Sequence, residues 1–281
     1  MKFEKWQALG NDYLILEAQN LPWELNSKRV EWLCDPHFGV GSDGVLLLAR
    51  SEDPEFVAEL RIFNPDGSEA ELSGNGAREA ILYLRRHGWT DEDSFAIHTA
   101  AGPIRPTITG ELTCSVDMGH ASTSSKDFPS GGEDGKGRLS AAGREWEFQH
   151  VSIGNPQCAI VVGDELEDLD LGEIGPGIEG NELFPNRTNV SFLAIEGSRV
   201  TARIFERGVG ETLSSGTGAS GAAITAYLLG APSPIVVELE GGELEVEIGE
   251  NLAVRLNGWA EPVCAGELAP ELLTALAELD G

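Results

Sequence analysis

The chain repeats itself. Residues 61–80 (RIFNPDGSEAELSGNGAREA) and 203–222 (RIFERGVGETLSSGTGASGA) align without a gap and agree at nine of twenty positions. Arg61, Ile62 and Phe63 fall on Arg203, Ile204 and Phe205, and Glu69 falls on Glu211. Ser73, Gly74, Gly76 and Ala77 fall on Ser215, Gly216, Gly218 and Ala219, and Ala80 falls on Ala222. The offset is 142 residues, about half of the 281-residue chain. A second echo lies at nearly the same distance, where Gly10-Asn11-Asp12 and Gly154-Asn155-Pro156 each open an apolar run. An internal repeat of this length binds both halves to one solution, because whatever fold buries the apolar face of one copy must also suit the other. The chain therefore reads as two copies of one unit.

Each copy alternates strand and helix signals. Glu59–Phe63 and Val200–Phe205 read as strands, alternating or buried, and each is followed by a turn: Pro65-Asp66-Gly67 in one copy, Gly208-Val209-Gly210 in the other. A glycine-bearing segment then opens a helix, Ala77–Arg86 in the first copy and Ala219–Leu229 in the second. The second helix is almost wholly apolar and is expected to be buried. The first carries Arg78, Glu79, Arg85 and Arg86, so part of it is expected to be wet. Short strands are expected at Tyr13–Leu16, Val45–Leu48, Ile235–Leu239, Leu244–Ile248 and Ala253–Leu256. The polar stretch Ser122–Gly137 reads as a linker or mobile loop near the join. Glu267–Leu279 reads as a C-terminal helix. The resulting division is 1–117 and 118–261, with the tail 262–281 expected to pack on the first half.

Composition narrows the partners. Forty-seven acidic against nineteen basic side chains leave a formal charge of −28, which argues against nucleic acid or an anionic membrane. No apolar run is long enough for a membrane helix and the start lacks a signal-peptide core, so a cytoplasmic protein is expected. Cys34, Cys114, Cys158 and Cys264 form no C-x-x-C pair and no zinc spacing, so no metal framework is expected. The Gly39-Val40-Gly41 segment leads to a strand, not a helix, which removes a dinucleotide fingerprint. None of the five histidines lies in a repeated motif, so no Ser-His-Asp triad is expected.

The chemistry concentrates at the two Ser-Gly-x-Gly-Ala turns. A serine before a helix N-terminus is often only an N-cap. The same position also exposes backbone N–H groups at the positive end of the helix dipole, where a carboxylate binds. Two such turns related by duplication point to a single interdomain cleft holding a small molecule. Glu206-Arg207 after the second strand read either as an exposed ion pair or as groups for a substrate. Asn11, Asn64, Asn155 and Asn189 each lie beside turns, where asparagine is common for backbone reasons alone.

The blocks ALGNDYLIL (8–16), FGVGSDGVLLL (38–48), RIFNPDGSEAELSGNGAR (61–78), GNPQ (154–157), NRTNV (186–190) and FERGVGETLSSGTGA (205–219) resemble the diaminopimelate epimerase family in sequence and in order. The resemblance implies an α/β (α+β) fold of two pseudo-symmetric halves, each a mixed sheet wrapped around a central helix. It implies a cofactor-independent amino-acid epimerase or racemase, working without metal or pyridoxal in the interdomain cleft. A homodimer is the default expectation. By the same resemblance, Asn11, Asn64, Asn155, Asn189, Glu206 and Arg207 hold the amino and carboxylate groups of the substrate. Gly74-Asn75 and Gly216-Thr217 supply amides to the carboxylate.

Three positions depart from the family pattern. The two catalytic cysteines of the family fall on Ser73 and Ser215, and its histidine falls on Gln157. An alcohol is a far weaker acid than a thiol. Two other readings therefore stand beside epimerisation. One is elimination or isomerisation with carboxylate bases, Glu206 or the pair Glu69 and Glu211. The other is an amino-acid-binding homologue without catalysis.

Overall fold

A computed structural model describes residues 1–71 and 73–279. The chain divides into two compact units: Met1–Val116 together with the segment from Trp259 onward, and Asp117–Gly258.

The first unit is built on β1 (Lys2–Ala8), β2 (Asn11–Glu17), α1 (Ser27–Cys34), β3 (Val45–Arg50), β4 (Ala58–Phe63), the short β5 (Glu69–Ala70), α2 (Gly74–Arg86), β6 (Ile97–Thr99) and β7 (Gly102–Ile104). Its sheet runs β1-β2-β3-β4-β6-β7, with β5 paired to β4. Pairing is parallel for β2–β3 and β4–β6 and antiparallel for β3–β4. Tyr13–Leu16 and Val45–Leu48 are buried without alternation, the pattern of strands covered on both faces. The helix α2 packs on β1, β2 and β3. β8 (Pro106–Gly110) forms an antiparallel hairpin with the first residues of β9 (Thr113–His120).

The second unit contains β10 (Lys136–Ala141), β11 (Arg144–Ser152), β12 (Pro156–Val161), α3 (Leu171–Glu179), β13 (Asn189–Glu196), β14 (Arg199–Glu206), the short β15 (Gly210–Thr212), α4 (Gly216–Leu228), β16 (Ile235–Leu239), β17 (Gly242–Ile248) and β18 (Ala253–Trp259). The order β10-β11-β12-β13-β14-β16-β17-β18 carries β15 on β14. The parallel pairs are β12–β13 and β14–β16, and β13–β14 is antiparallel. Strand for strand this repeats the pattern of the first unit, with α4 in the place of α2. The sequence duplication is a duplication of topology. The sheet wraps α4, which packs on β11, β12, β13, β14, β16 and β17, and its residues Gly218–Ala226 are all buried. β19 (Glu261–Glu267) returns to the first unit and pairs antiparallel with β1, and α5 (Pro270–Ala277) follows.

Four local expectations change. Both central helices begin earlier than their apolar runs suggest, at Gly74 and Gly216, because the serine before each caps the first turn through its side chain. In α2, Arg85 and Arg86 reach water but Arg78 and Glu79 have no exposure at all. Arg78 is accommodated by oxygens, donating to Gly74 O at 3.1 Å, to Trp259 O at 3.4 Å and to Asn75 Oδ1. The C-terminal helix is shorter than Glu267–Leu279: Glu267 ends β19, and Pro270, which has no N–H to offer, begins α5. The stretch Ser122–Gly137 is tied down. Ser122 and Ser152 exchange backbone bonds of 2.9 and 2.8 Å, and Phe128 is buried against Phe148 and Phe184. One aromatic in a polar segment is enough to dock it, and composition hides that. Among the described residues no helix is long and apolar enough to cross a membrane.

Candidate active site

In the first unit Ser73 stands at the N-cap of α2 in an extended conformation (φ −126°, ψ 124°). Its Oγ accepts from the Gly76 amide at 3.1 Å and from the Tyr13 hydroxyl at 3.2 Å. The ring of Tyr13 lies against two glycines. A Cβ at Gly44 would sit 2.6 Å from Tyr13 Cε1, and one at Gly76 would sit 3.3 Å from Cε2. Behind the serine, buried Asn75 donates to Asn11 Oδ1 at 3.4 Å, and Asn11 donates to Asp43 Oδ2 at 2.9 Å. Asp12 closes this cluster by an ion pair with Lys5 at 2.9 Å. The fold thus brings Ser73, Gly74, Asn75 and Asn11 into one cluster. Asn64 stays apart, in the turn after β4, where its side chain donates to Ser68 Oγ at 3.0 Å.

In the second unit Ser215, 5% exposed, caps α4. Its Oγ accepts from the Gly218 amide at 3.2 Å and donates to Glu206 Oε2 at 3.0 Å. The other oxygen of Glu206 accepts from Thr212 Oγ1 at 2.9 Å. Beside this pair a side-chain relay runs through α4's first turn: Gln157 Nε2 donates to Asn155 Oδ1 at 2.7 Å, and Asn155 Nδ2 donates to Thr217 Oγ1 at 3.1 Å. Gln157 is fully buried, and among the described residues its Oε1 has no hydrogen-bond partner. Asn189 accepts the Arg207 amide at 2.8 Å and donates to Pro156 O at 3.3 Å. The Arg207 guanidinium is exposed and donates to Asn186 O at 2.9 Å. Two residues that sequence reasoning passed over hold this corner: buried Glu179 accepts the Gly208 amide at 2.7 Å and the Arg187 guanidinium at 2.6 Å. Glu179 comes from α3, outside the motif blocks, and Arg187 lies within NRTNV before β13, where only Asn189 had been singled out.

The carboxylates considered as bases separate cleanly. Glu69 receives both Arg61 Nε and Nη2, at 2.9 and 2.8 Å, and the Arg61 hydrogen bond holds its carboxyl below the usual range. Glu211 pairs in the same way with Arg203, at 2.8 Å. These are cross-strand ion pairs repeated by the duplication, and they brace the hairpins that lead to the turns. Glu206 is the carboxylate that touches a serine. The thiols stand apart from this chemistry: burial pushes Cys114 up to about 12 and raises Cys158 and Cys34 as well. Among the described residues no group of three or more His, Cys, Asp or Glu could hold a metal ion. A surface pocket of about 540 Å³ in the second unit, lined by Lys136, Phe148, Val161 and Leu229, lies at the opposite end of α4 from Ser215.

This arrangement can bind an anion at each helix N-terminus, and in the second unit it places a hydroxyl on a carboxylate that can take its proton. The family model described as diaminopimelate epimerase matches residues 3–124 and 149–257, which include both serine turns. The chain belongs to the diaminopimelate epimerase family. It is 40% identical over 278 residues to diaminopimelate epimerase 2 of Nostoc sp., covering 97% of each chain. It is 37% identical to the diaminopimelate epimerase of Desulfitobacterium hafniense, covering 98% of this chain and 100% of that one. The fold is shared more widely. A phenazine biosynthesis protein of the PhzF family from Bacillus anthracis superposes with a TM-score of 0.68 at 20% identity, over 96% of this chain and 99% of that one. A probable proline racemase from Agrobacterium radiobacter gives a TM-score of 0.61 at 15% identity, over 97% and 95%.

Proposed function

We propose that this member of the family is a cofactor-independent amino-acid epimerase that inverts an α-carbon of diaminopimelate. The observation that carries the reading is the 3.0 Å hydrogen bond from Ser215 to Glu206 at the capped start of α4. An unaided alcohol is a poor base at neutral pH. Ser215 is not unaided: as its Oγ takes the α-proton, its own proton passes to Glu206 Oε2, and the carboxylate, not an alkoxide, bears the change. The Thr212 hydroxyl orients that carboxylate.

Deprotonation leaves an electron pair that delocalises into the α-carboxylate. The amides of Gly74 and Asn75 at one helix start, and of Gly216 and Thr217 at the other, are suited to that added negative charge. Asn11, Asn64, Asn155, Gln157, Asn189 and Arg207 are proposed to hold the substrate's amino and carboxylate groups. Ser73 returns a proton to complete the inversion. A chain with this activity serves lysine biosynthesis in the cytoplasm, and a homodimer is part of the proposal.

Incubation in deuterated water with LL- or meso-diaminopimelate, followed by proton NMR, tests the reading. The expected result is loss of the α-proton signal together with inversion. Loss of water or ammonia would instead make Glu206 the base of an elimination. Saturable binding without exchange would make the chain a binding homologue.

A further inference from the structure

Resting on the epimerase reading, we infer that the two serines are not interchangeable: in the direction in which Ser215 removes the α-proton, Ser73 is the proton donor, and Tyr13 is the positioning residue that makes it one. The argument is an inventory of lone pairs. A hydroxyl has one hydrogen to give and two lone pairs to accept with. At Ser73 both acceptor positions are taken, by the Gly76 amide at 3.1 Å and the Tyr13 hydroxyl at 3.2 Å, and among the described residues nothing accepts its own hydrogen, which is left for a substrate. At Ser215 the hydrogen is committed to Glu206 and one acceptor position is taken by the Gly218 amide, so a lone pair is left for a substrate proton.

The duplication supplies an independent observation, because the partners are exchanged between the copies. Glu206 corresponds to Asn64, whose side chain turns to Ser68. Tyr13 corresponds to Gln157, whose amide turns to Asn155. Each unit has kept one hydroxyl partner for its serine, and the two partners have opposite sense: a carboxylate that receives and a phenol that gives. Glycines at 44 and 76 leave the room that the phenol ring needs to reach Ser73.

The step balances. The Ser73 O–H bond breaks as the Cα–H bond forms, and the Tyr13 O–H bond breaks as Ser73 Oγ regains a hydrogen. Turnover leaves tyrosinate at Tyr13 and a protonated Glu206; solvent returns a proton to the first and takes one from the second. A phenol ionises at about 10 in water, so this relay avoids a free alkoxide.

The test is Tyr13→Phe in the full chain, with LL- and meso-diaminopimelate in deuterated water. The ring stays in its slot and only the hydroxyl is lost. Expected is a fall in kcat for inversion on the order of 10²-fold with KM unchanged, while deuterium still enters one epimer without inversion. Equal loss of exchange and inversion, or a change confined to KM, would overturn the assignment. Replacing Tyr13 with 3,5-difluorotyrosine is the second measurement. It preserves shape and makes the phenol more acidic, so the basic limb of the kcat profile moves to lower pH, and an unmoved limb contradicts the relay. If the unmodified protein exchanges no α-proton from either amino acid, the epimerase reading itself fails. If it exchanges normally and Tyr13→Phe matches it, only the role of Tyr13 fails.

Discussion

Ser215 donates its hydroxyl hydrogen to Glu206 Oε2 at 3.0 Å while its Oγ accepts the amide of Gly218, two residues into α4. The same atom thus caps the helix and faces a base. Glu206→Gln keeps a carbonyl oxygen for the hydroxyl but removes the group that receives the proton. It is expected to slow α-proton exchange by about 10² to 10⁴. Ser215→Ala should slow it similarly and also cost about 1 kcal/mol of stability through the lost cap. Because the two residues act as a unit, the double variant should be little slower than either single one, and kinetics of all three against the unmodified chain checks this.

The helix starts that hold Ser73 and Ser215 are also suited to a thiolate, whose reference pKa of about 8.5 falls at a helix N-terminus. Ser73→Cys combined with Ser215→Cys restores the residues to which the family resemblance points. The double variant is expected to epimerise faster than the unmodified serine form, with a rate that iodoacetamide abolishes. Slower turnover by the cysteine form would mean that the surrounding residues are tuned to hydroxyls.

Glu79 is fully buried in α2, and burial, only partly opposed by Arg78 and by the Tyr13 backbone amide, holds its carboxyl well above the usual range. The folded chain therefore binds a proton here that the unfolded chain releases above its ordinary pKa of 4.5. Stability from this group is fully present below that pH and declines as pH rises toward the folded value. Glu79→Gln should melt higher than the natural chain at about pH 8, with the gap closing near pH 4. A gap independent of pH would contradict the burial of a neutral acid.

How far the sequence reveals this molecule depends on which interactions are local. The strands, the two central helices and their glycine starts follow from periodicity and from the repeat, since those depend on neighbours in the chain. The clustering of Asn11 with Asn75, and of Asn155 with Gln157 and Thr217, follows the motif blocks. Tyr13 was legible only as a strand residue, because its hydroxyl matters through Ser73, sixty residues away. Glu179 lies outside the motif blocks and meets the Gly208 turn, and Arg187 of the NRTNV block, only through tertiary packing. The wet part of α2 is Arg85 and Arg86; Arg78 and Glu79 are buried because charge predicts exposure only when no buried oxygen or proton is available to the group.

His150 is another case that only packing reveals. The ring is fully buried beside Phe128 and Phe184, its Nε2 lies 2.9 Å from Ser125 Oγ, and burial lowers its pKa against the opposing influence of Asp127. The unfolded chain takes up a proton that the folded ring resists, so stability falls as pH drops below the ordinary 6.5. Amide exchange of residues 122–135, corrected for intrinsic rates, is expected to accelerate between about pH 7 and pH 5. His150→Gln should remove that dependence. Protection that does not change with pH would show that the imidazole does not hold this segment.

The most direct measurement of the central claim is the conversion of LL-diaminopimelate to the meso form, followed by chiral chromatography with the natural protein and with Glu206→Gln side by side. The account predicts that the unmodified serine protein drives the mixture to the LL/meso equilibrium, and that Glu206→Gln approaches it on the order of 10²-fold more slowly. LL-diaminopimelate left unconverted by the folded natural protein, or converted equally fast by Glu206→Gln, would contradict it.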